Sequence, residues 1–143
     1  MIKLIETISD LNLETISKIW LDSNLDTHDF IEKDYWLKNY PAVKNTFPTA
    51  KIYVYYHNDE IVGFLGMIDN YIAGIFISKD FRSLGIGTQL LNDVQAAYSK
   101  LTLSVYQKNE RAYHFYLKHG FKVIKNELDL ETNEIELFME WAV

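Results

Sequence analysis

Hydrophobic and polar positions change their period several times along this chain, and each change predicts an element. Residues 2–8 read IKLIETI, which alternates enough to predict a first strand. Leu13, Ile16, Ile19 and Trp20 then recur at helical spacing, behind Ser9 or Asp10 as the capping residue. A second helix is expected near Asp29, where Asp29 and Glu32 stand three apart as a capping box, and Pro41 and Pro48 are expected to mark its exit.

From Ala50 the period becomes two. The runs KIYVYYH and EIVGFLGMI flank Asn58-Asp59, and Asp69-Asn70 separates the second run from YIAGIFIS, which predicts a three-stranded antiparallel meander. Ile86, Leu90, Leu91, Val94, Ala97 and Tyr98 then form one face of an amphipathic helix. LTLSV is a short strand, NERAYHFYLKH a helix closed by Gly120, and the last two strands form a hairpin around Glu131-Thr132-Asn133. The order β-α-α-β-β-β-α-β-α-β-β predicts an α+β domain with a mixed sheet rather than a regular β-α alternation.

One junction in this order carries candidate chemistry. Gly85 and Gly87 stand where a helix begins after a hydrophobic strand, although glycine costs about 1 kcal/mol against alanine inside a helix. The first N–H groups of a helix lack internal partners and carry partial positive charge, so a start without Cβ atoms suits an anion such as phosphate. A P-loop would need Lys-Ser/Thr after its second glycine, and this chain has Thr88-Gln89. A dinucleotide fingerprint would need a third glycine where Leu90 stands, after an opening β-α-β unit. The surviving pattern is R-x-x-G-x-G, met by Arg82, Gly85 and Gly87.

Length and composition narrow the classes. At 143 residues the chain is expected to form a single domain over 1–143. With no cysteine, thiolate zinc sites, disulfides and cysteine nucleophiles are excluded, and no metal is expected. A net charge of -6 argues against a nucleic-acid partner. No apolar run approaches the length of a membrane span, and the N-terminus lacks a secretory pattern, so no membrane partner and a cytoplasmic location are expected.

At the glycine turn the chain resembles the GNAT superfamily of acyl-CoA-dependent N-acetyltransferases. A second motif supports the resemblance: Asn109 to Phe121 reads NERAYHFYLKHGF, similar to the family's N-x-x-A-x-x-F-Y helix followed by Gly-Phe. The resemblance implies the GNAT fold, acetyl-CoA as co-substrate, and direct transfer of its acetyl group to a primary amine through a tetrahedral intermediate. It also implies that the turn Arg82, Leu84, Gly85, Ile86, Gly87 and Thr88 wraps the pyrophosphate, that the strand residues Phe76 and Ile77 meet the pantetheine through their backbone, and that Asn109 and Ala112 line its arm. Arg82 and the basic Lys79, Lys108 or Arg111 are the candidates for offsetting the donor's charge.

Tyr116 follows Asn109 and Ala112 on the same helical face. A phenol of ordinary pKa about 10 can protonate a departing thiolate when hydrogen-bonded to it. The resemblance makes Tyr116 that general acid, with core packing as the alternative. Many members of the family carry a glutamate base on the strand before the turn, whereas this strand has no carboxylate. His28, in the segment between the first two helices, is the candidate base, because histidine titrates near neutrality. Its alternative is to shape a helix start with Thr27 and Asp29. The acceptor is expected to be a small-molecule or peptide amine. Monomer and homodimer stay open, and a non-catalytic CoA-binding or regulatory module on the same fold is the alternative function.

Overall fold

A computed structural model describes all 143 residues. The elements follow the predicted order: β1 (Ile2–Ile5), α1 (Asp10–Thr27), α2 (Lys33–Thr46), β2 (Lys51–His57), β3 (Glu60–Ile68), β4 (Tyr71–Ile77), α3 (Ile86–Ala97), β5 (Lys100–Tyr106), α4 (Glu110–Lys118), β6 (Lys122–Asp129) and β7 (Glu134–Ala142). The seven strands form one sheet in the order β1-β2-β3-β4-β5-β7-β6. Every neighbouring pair is antiparallel except β4 and β5. No helix is long and apolar enough to cross a membrane.

Helices cover both faces of the sheet and bury two cores. Leu90, Leu91 and Val94 of α3 and Tyr116 of α4 pack with Leu65, Met67, Leu103 and Met139. Ile16 and Trp20 of α1 and Trp36 of α2 pack on the other face with Ile52, Val54 and Phe64. β3 lies between the two, which is why its residues from Ile61 to Met67 are all buried and its sequence is almost continuously apolar. The first hairpin turns through Asn58 and Asp59, both at positive φ (50° and 65°), the type I′ geometry that matches the twist of the strands.

Ser9 caps α1 as expected, its hydroxyl accepting from Asn12 N–H at 3.1 Å. Two expectations about α2 are corrected. Asp29 does not begin it: residues 29–31 form a turn and bend, and Glu32 occupies the cap without a side-chain hydrogen bond. Packing overrides the capping box here, because Ile31 is buried in the second core and Phe30 stands against His28. Pro41 does not end the helix but lies inside it. The helix tolerates the missing N–H because Pro41 and Leu37, whose carbonyl loses its partner, are both exposed.

The feature that positions the site is a bulge in β4. Its register against β3 passes from Gly74↔Gly66 to Ile72↔Met67, so Ala73 is an extra residue. A bulge bends its strand and interrupts pairing. On the other edge, β4 pairs with β5 only at Tyr71↔Thr102 and Ile72↔Leu103. Beyond Ile72 the two strands part, and the backbone of Ala73 to Ile77 is left without a sheet neighbour on that side.

Candidate active site

The parted strands open into a cavity of about 370 Å³, within the range of small-molecule sites. Four segments line it: the end of α1 with Ser23, Thr27 and His28, the free part of β4 with Ile75 to Ile77, the turn from Phe81 to Thr88 that follows it, and α4 from Asn109 to Tyr116. Of the residues singled out from sequence, Phe76, Ile77, Arg82, Gly85, Ile86, Gly87, Thr88, Asn109, Ala112, Tyr116 and His28 all border this one space. Leu84 does not, and its side chain is exposed.

The two glycines of the turn serve different needs. Gly85 caps α3 at φ 82°, a left-handed conformation that a side chain disfavours, and a Cβ there would meet no atom within 4 Å. Gly87 lies inside the helix, and a Cβ would make ordinary contacts with Phe115 Cζ at 3.6 Å and Ile75 Cγ2 at 3.9 Å. Neither glycine is therefore required to avoid a clash within the protein. The first intrahelical bond is Gln89 N–H to Gly85 O at 3.1 Å, so the N–H groups of Ile86, Gly87 and Thr88 have no partner in the helix. The turn is a cradle of backbone donors at the positive end of α3, and that chemistry suits a phosphate.

Arginine side chains brace this cradle. Arg82 donates through Nε to Ile77 O at 3.1 Å, and its guanidinium pairs with the Asp26 carboxylate of α1. Arg111 of α4 donates to Ser83 Oγ, and Ser83 itself stands at φ 64°. Lys108 turns the other way, toward Glu134 at 3.0 Å.

The opposite wall is α4. Asn109 is its cap: Oδ1 accepts from Ala112 N–H at 3.2 Å. Tyr116 is buried between Phe115 and Phe121 and borders the cavity. Burial holds its phenol well above the ordinary tyrosine value, and Tyr71 acts in the same direction, so it stays protonated at any physiological pH.

His28 follows the last turn of α1, and both ring nitrogens are occupied. Nδ1 lies 2.8 Å from Asn24 Oδ1, and Nε2 lies 3.0 Å from Asn109 Nδ2. Trp36 stacks on the ring, while Phe30 and Tyr106 meet it edge-on. The expected titration near neutrality is corrected: burial lowers His28 to about 4, with Asp29 opposing weakly, so the ring is neutral in the working range. Asn24, which sequence reading did not single out, is 3% exposed and donates through Nδ2 to Trp20 O at 2.9 Å. The available signal was its spacing, four residues before His28 on one helical face.

The sequence model of the family described as "Acetyltransferase (GNAT) domain" matches residues 27–139. The chain belongs to the GNAT acetyltransferase family. It is 31% identical over 133 residues to the peptidyl-lysine N-acetyltransferase YiaC of Escherichia coli strain K12, spanning 92% of this chain and 91% of that protein. The solution structure of apo YjaB from Escherichia coli superposes with a TM-score of 0.84 at 28% identity, over 99% of this chain and 97% of that one. A streptothricin acetyltransferase from Bacillus anthracis, described in complex with acetyl coenzyme A, shares the fold with a TM-score of 0.60 at 22% identity, over 69% and 67% of the two chains.

As a GNAT protein the chain is an N-acetyltransferase, and the mixed, mostly antiparallel sheet is that family's fold. Sequence reading also missed Ser23, Thr27, Phe81, Ser83 and Phe115 as cavity residues. Nothing in their local pattern marks them; only the meeting of α1, the turn and α4 brings them to one space.

Proposed function

We propose that this GNAT enzyme transfers the acetyl group of acetyl-CoA to the side-chain amine of a peptidyl lysine. The observation that carries the reading is the free edge of β4, which runs from the bulge at Ala73 to the phosphate cradle at Gly85–Thr88 with Tyr116 facing it across the cavity. Pantetheine carries amide groups along its length, and an unpaired strand edge offers them N–H and C=O partners as a neighbouring strand would. The donor's pyrophosphate then lies on the N–H groups of Ile86, Gly87 and Thr88.

The amine nitrogen attacks the thioester carbonyl carbon, a C–N bond forms, and the C–S bond breaks with its electron pair leaving on sulfur. Tyr116 supplies the proton that sulfur takes up. Because burial disfavours its phenolate, the phenol regains a proton from the cationic nitrogen as the amide forms, so no charge is left on Tyr116. β4 holds no carboxylate from Tyr71 to Ile77, and both nitrogens of His28 are engaged, so the acceptor's ammonium loses its first proton to water in the cavity mouth.

A cationic acceptor fits the surface beyond His28. Tyr106 donates to Asp129 Oδ2 at 3.2 Å and Tyr35 to Glu131 Oε2 at 3.4 Å, which sets carboxylates beside the aromatic wall around the imidazole. Glu136 lies across from Tyr106 in register, its carboxyl raised by burial and by Asp129 and Glu127. The name of the relative YiaC supports a lysine within a peptide, and a cytoplasmic setting, where acetyl-CoA is available, completes the reading.

Calorimetry with acetyl-CoA, followed by mass spectrometry of a lysine peptide incubated with donor and enzyme, tests the proposal. Saturable binding and a mass gain of one acetyl group on lysine are expected. Absence of acetyl-CoA binding by the folded protein would overturn the donor site, and acetylation of small amines alone would overturn the peptide acceptor.

A further inference from the structure

The structure assigns His28 the role of a positioning residue, a neutral connector that holds the cap of α4 in register with the end of α1, rather than that of a base. The inference rests on the donor site proposed above for the α4 wall.

Its hydrogen bonds fix every proton in a chain that runs from Asn24 of α1 to Asn109 at the start of α4. Asn24 Nδ2 donates to Trp20 O, which leaves Asn24 Oδ1 as the acceptor facing His28. Asn109 Oδ1 accepts from Ala112 N–H, which leaves Asn109 Nδ2 as the donor facing His28. The imidazole is therefore protonated on Nδ1 and presents the Nε2 lone pair to Asn109. No nitrogen is left to take a proton from a substrate. An imidazolium would set its Nε2–H against the Asn109 amide donor, and Asn109 could not reverse its amide without losing the bond that caps α4.

The surroundings keep the ring in this state. Trp36 of α2, Phe30 and Tyr106 of β5 enclose it, and none of the three carries charge in the working range. The charged groups nearby are Asp29 in its own segment, Asp129 of β6 bound by Tyr106, and the arginines Arg82 and Arg111 that border the same cavity. Asp26 of α1 is held by Arg82. The consequence is mechanical: residues 24, 28 and 109 join the helix on one side of the cavity to the helix that bears Tyr116 on the other.

Nitrogen-15 NMR of the imidazole and steady-state kinetics test this. In the wild type, His28 should show the Nδ1–H tautomer with constant shifts from pH 5.5 to 8; titration in that window would overturn the assignment. His28→Phe keeps an aromatic ring but cuts both bonds, and kcat/KM for acetyl-CoA should fall by about tenfold or more, the scale of a small misplacement of reacting groups. His28→Gln, which retains a donor and an acceptor, should recover a good part of that loss; equal losses in the two folded variants would overturn the connector and favour a proton-transfer role.

Asn24→Asp supplies a readout that stability alone does not move. Its carboxylate favours the imidazolium, so activity should acquire a new loss on the acid side, at the pH where NMR shows His28 gaining its proton. Unaltered activity through that titration would also overturn the proposal. Wild-type calorimetry with acetyl-CoA separates the two readings: no binding removes the donor site, while the tautomer measurement still decides the connector.

Discussion

Arg82, the first residue of the turn signature, pairs its guanidinium with the carboxylate of Asp26 at the end of α1, and its Nε holds Ile77 O at 3.1 Å. If the turn holds the donor's pyrophosphate as proposed, the Arg82 guanidinium already has a carboxylate partner, and this pairing is why Asp26 sits below the usual carboxylate range. An anionic donor at the turn would compete with Asp26 for that guanidinium. Asp26→Asn should lower KM for acetyl-CoA by about two- to fivefold, the scale of a surface ion pair, and the difference should shrink in high salt. A raised KM, measured at two ionic strengths, would mean instead that the pair holds the turn in shape.

The two glycines of the turn should fail in different ways. Gly87→Val meets only ordinary contacts, so its melting temperature should stay within a few degrees of the wild type while calorimetry shows acetyl-CoA affinity reduced more than about tenfold by the blocked cradle. Gly85→Val has open space but a strained φ of 82°, and should lose about 1–2 kcal/mol of stability in a denaturant melt. Unchanged donor binding in Gly87→Val would remove the pyrophosphate from this turn.

Tyr116→Phe keeps the ring between Phe115 and Phe121 and removes only the hydroxyl. If that hydroxyl protonates the leaving thiolate, kcat should fall by about 10²-fold or more, with acetyl-CoA affinity nearly unchanged. The assay follows free CoA while circular dichroism monitors the fold. Full turnover by a folded Tyr116→Phe protein would return Tyr116 to a packing role.

Stability should depend on pH through His28. Its folded value of about 4 lies below the ordinary 6.5, so between these limits the unfolded chain binds the extra proton. The neutral ring's contribution is fully present above pH 6.5 and is lost progressively as pH falls toward 4, by about 3 kcal/mol in total. Denaturant melts at pH 4.5 and 7 should show this slope in the wild type and a shallower one in His28→Phe. Equal slopes would place the acid sensitivity in other groups.

The sequence by itself determined the element order, because each element carries its own period or turn chemistry: the alternation of β2 to β4, the apolar face of α3, and Asn58-Asp59 and Gly120 at positions of positive φ. It also identified the glycine turn and the α4 motif, since N–H groups at a helix start and residues at i, i+3 and i+7 are properties of short segments. Tertiary structure decided what local pattern does not contain. Ile31 and Phe30 displaced the Asp29 capping box, because burying Ile31 and packing Phe30 against His28 outweigh one cap. The parting of β4 from β5 begins at the bulge at Ala73, which no residue there announces, since an extra residue is defined only against its partner strand. His28 looked like a base because an isolated imidazole titrates near neutrality. As proposed above it is a connector, because folding places Asn109, 81 residues away, against one nitrogen and Asn24 against the other, and burial disfavours its charged form.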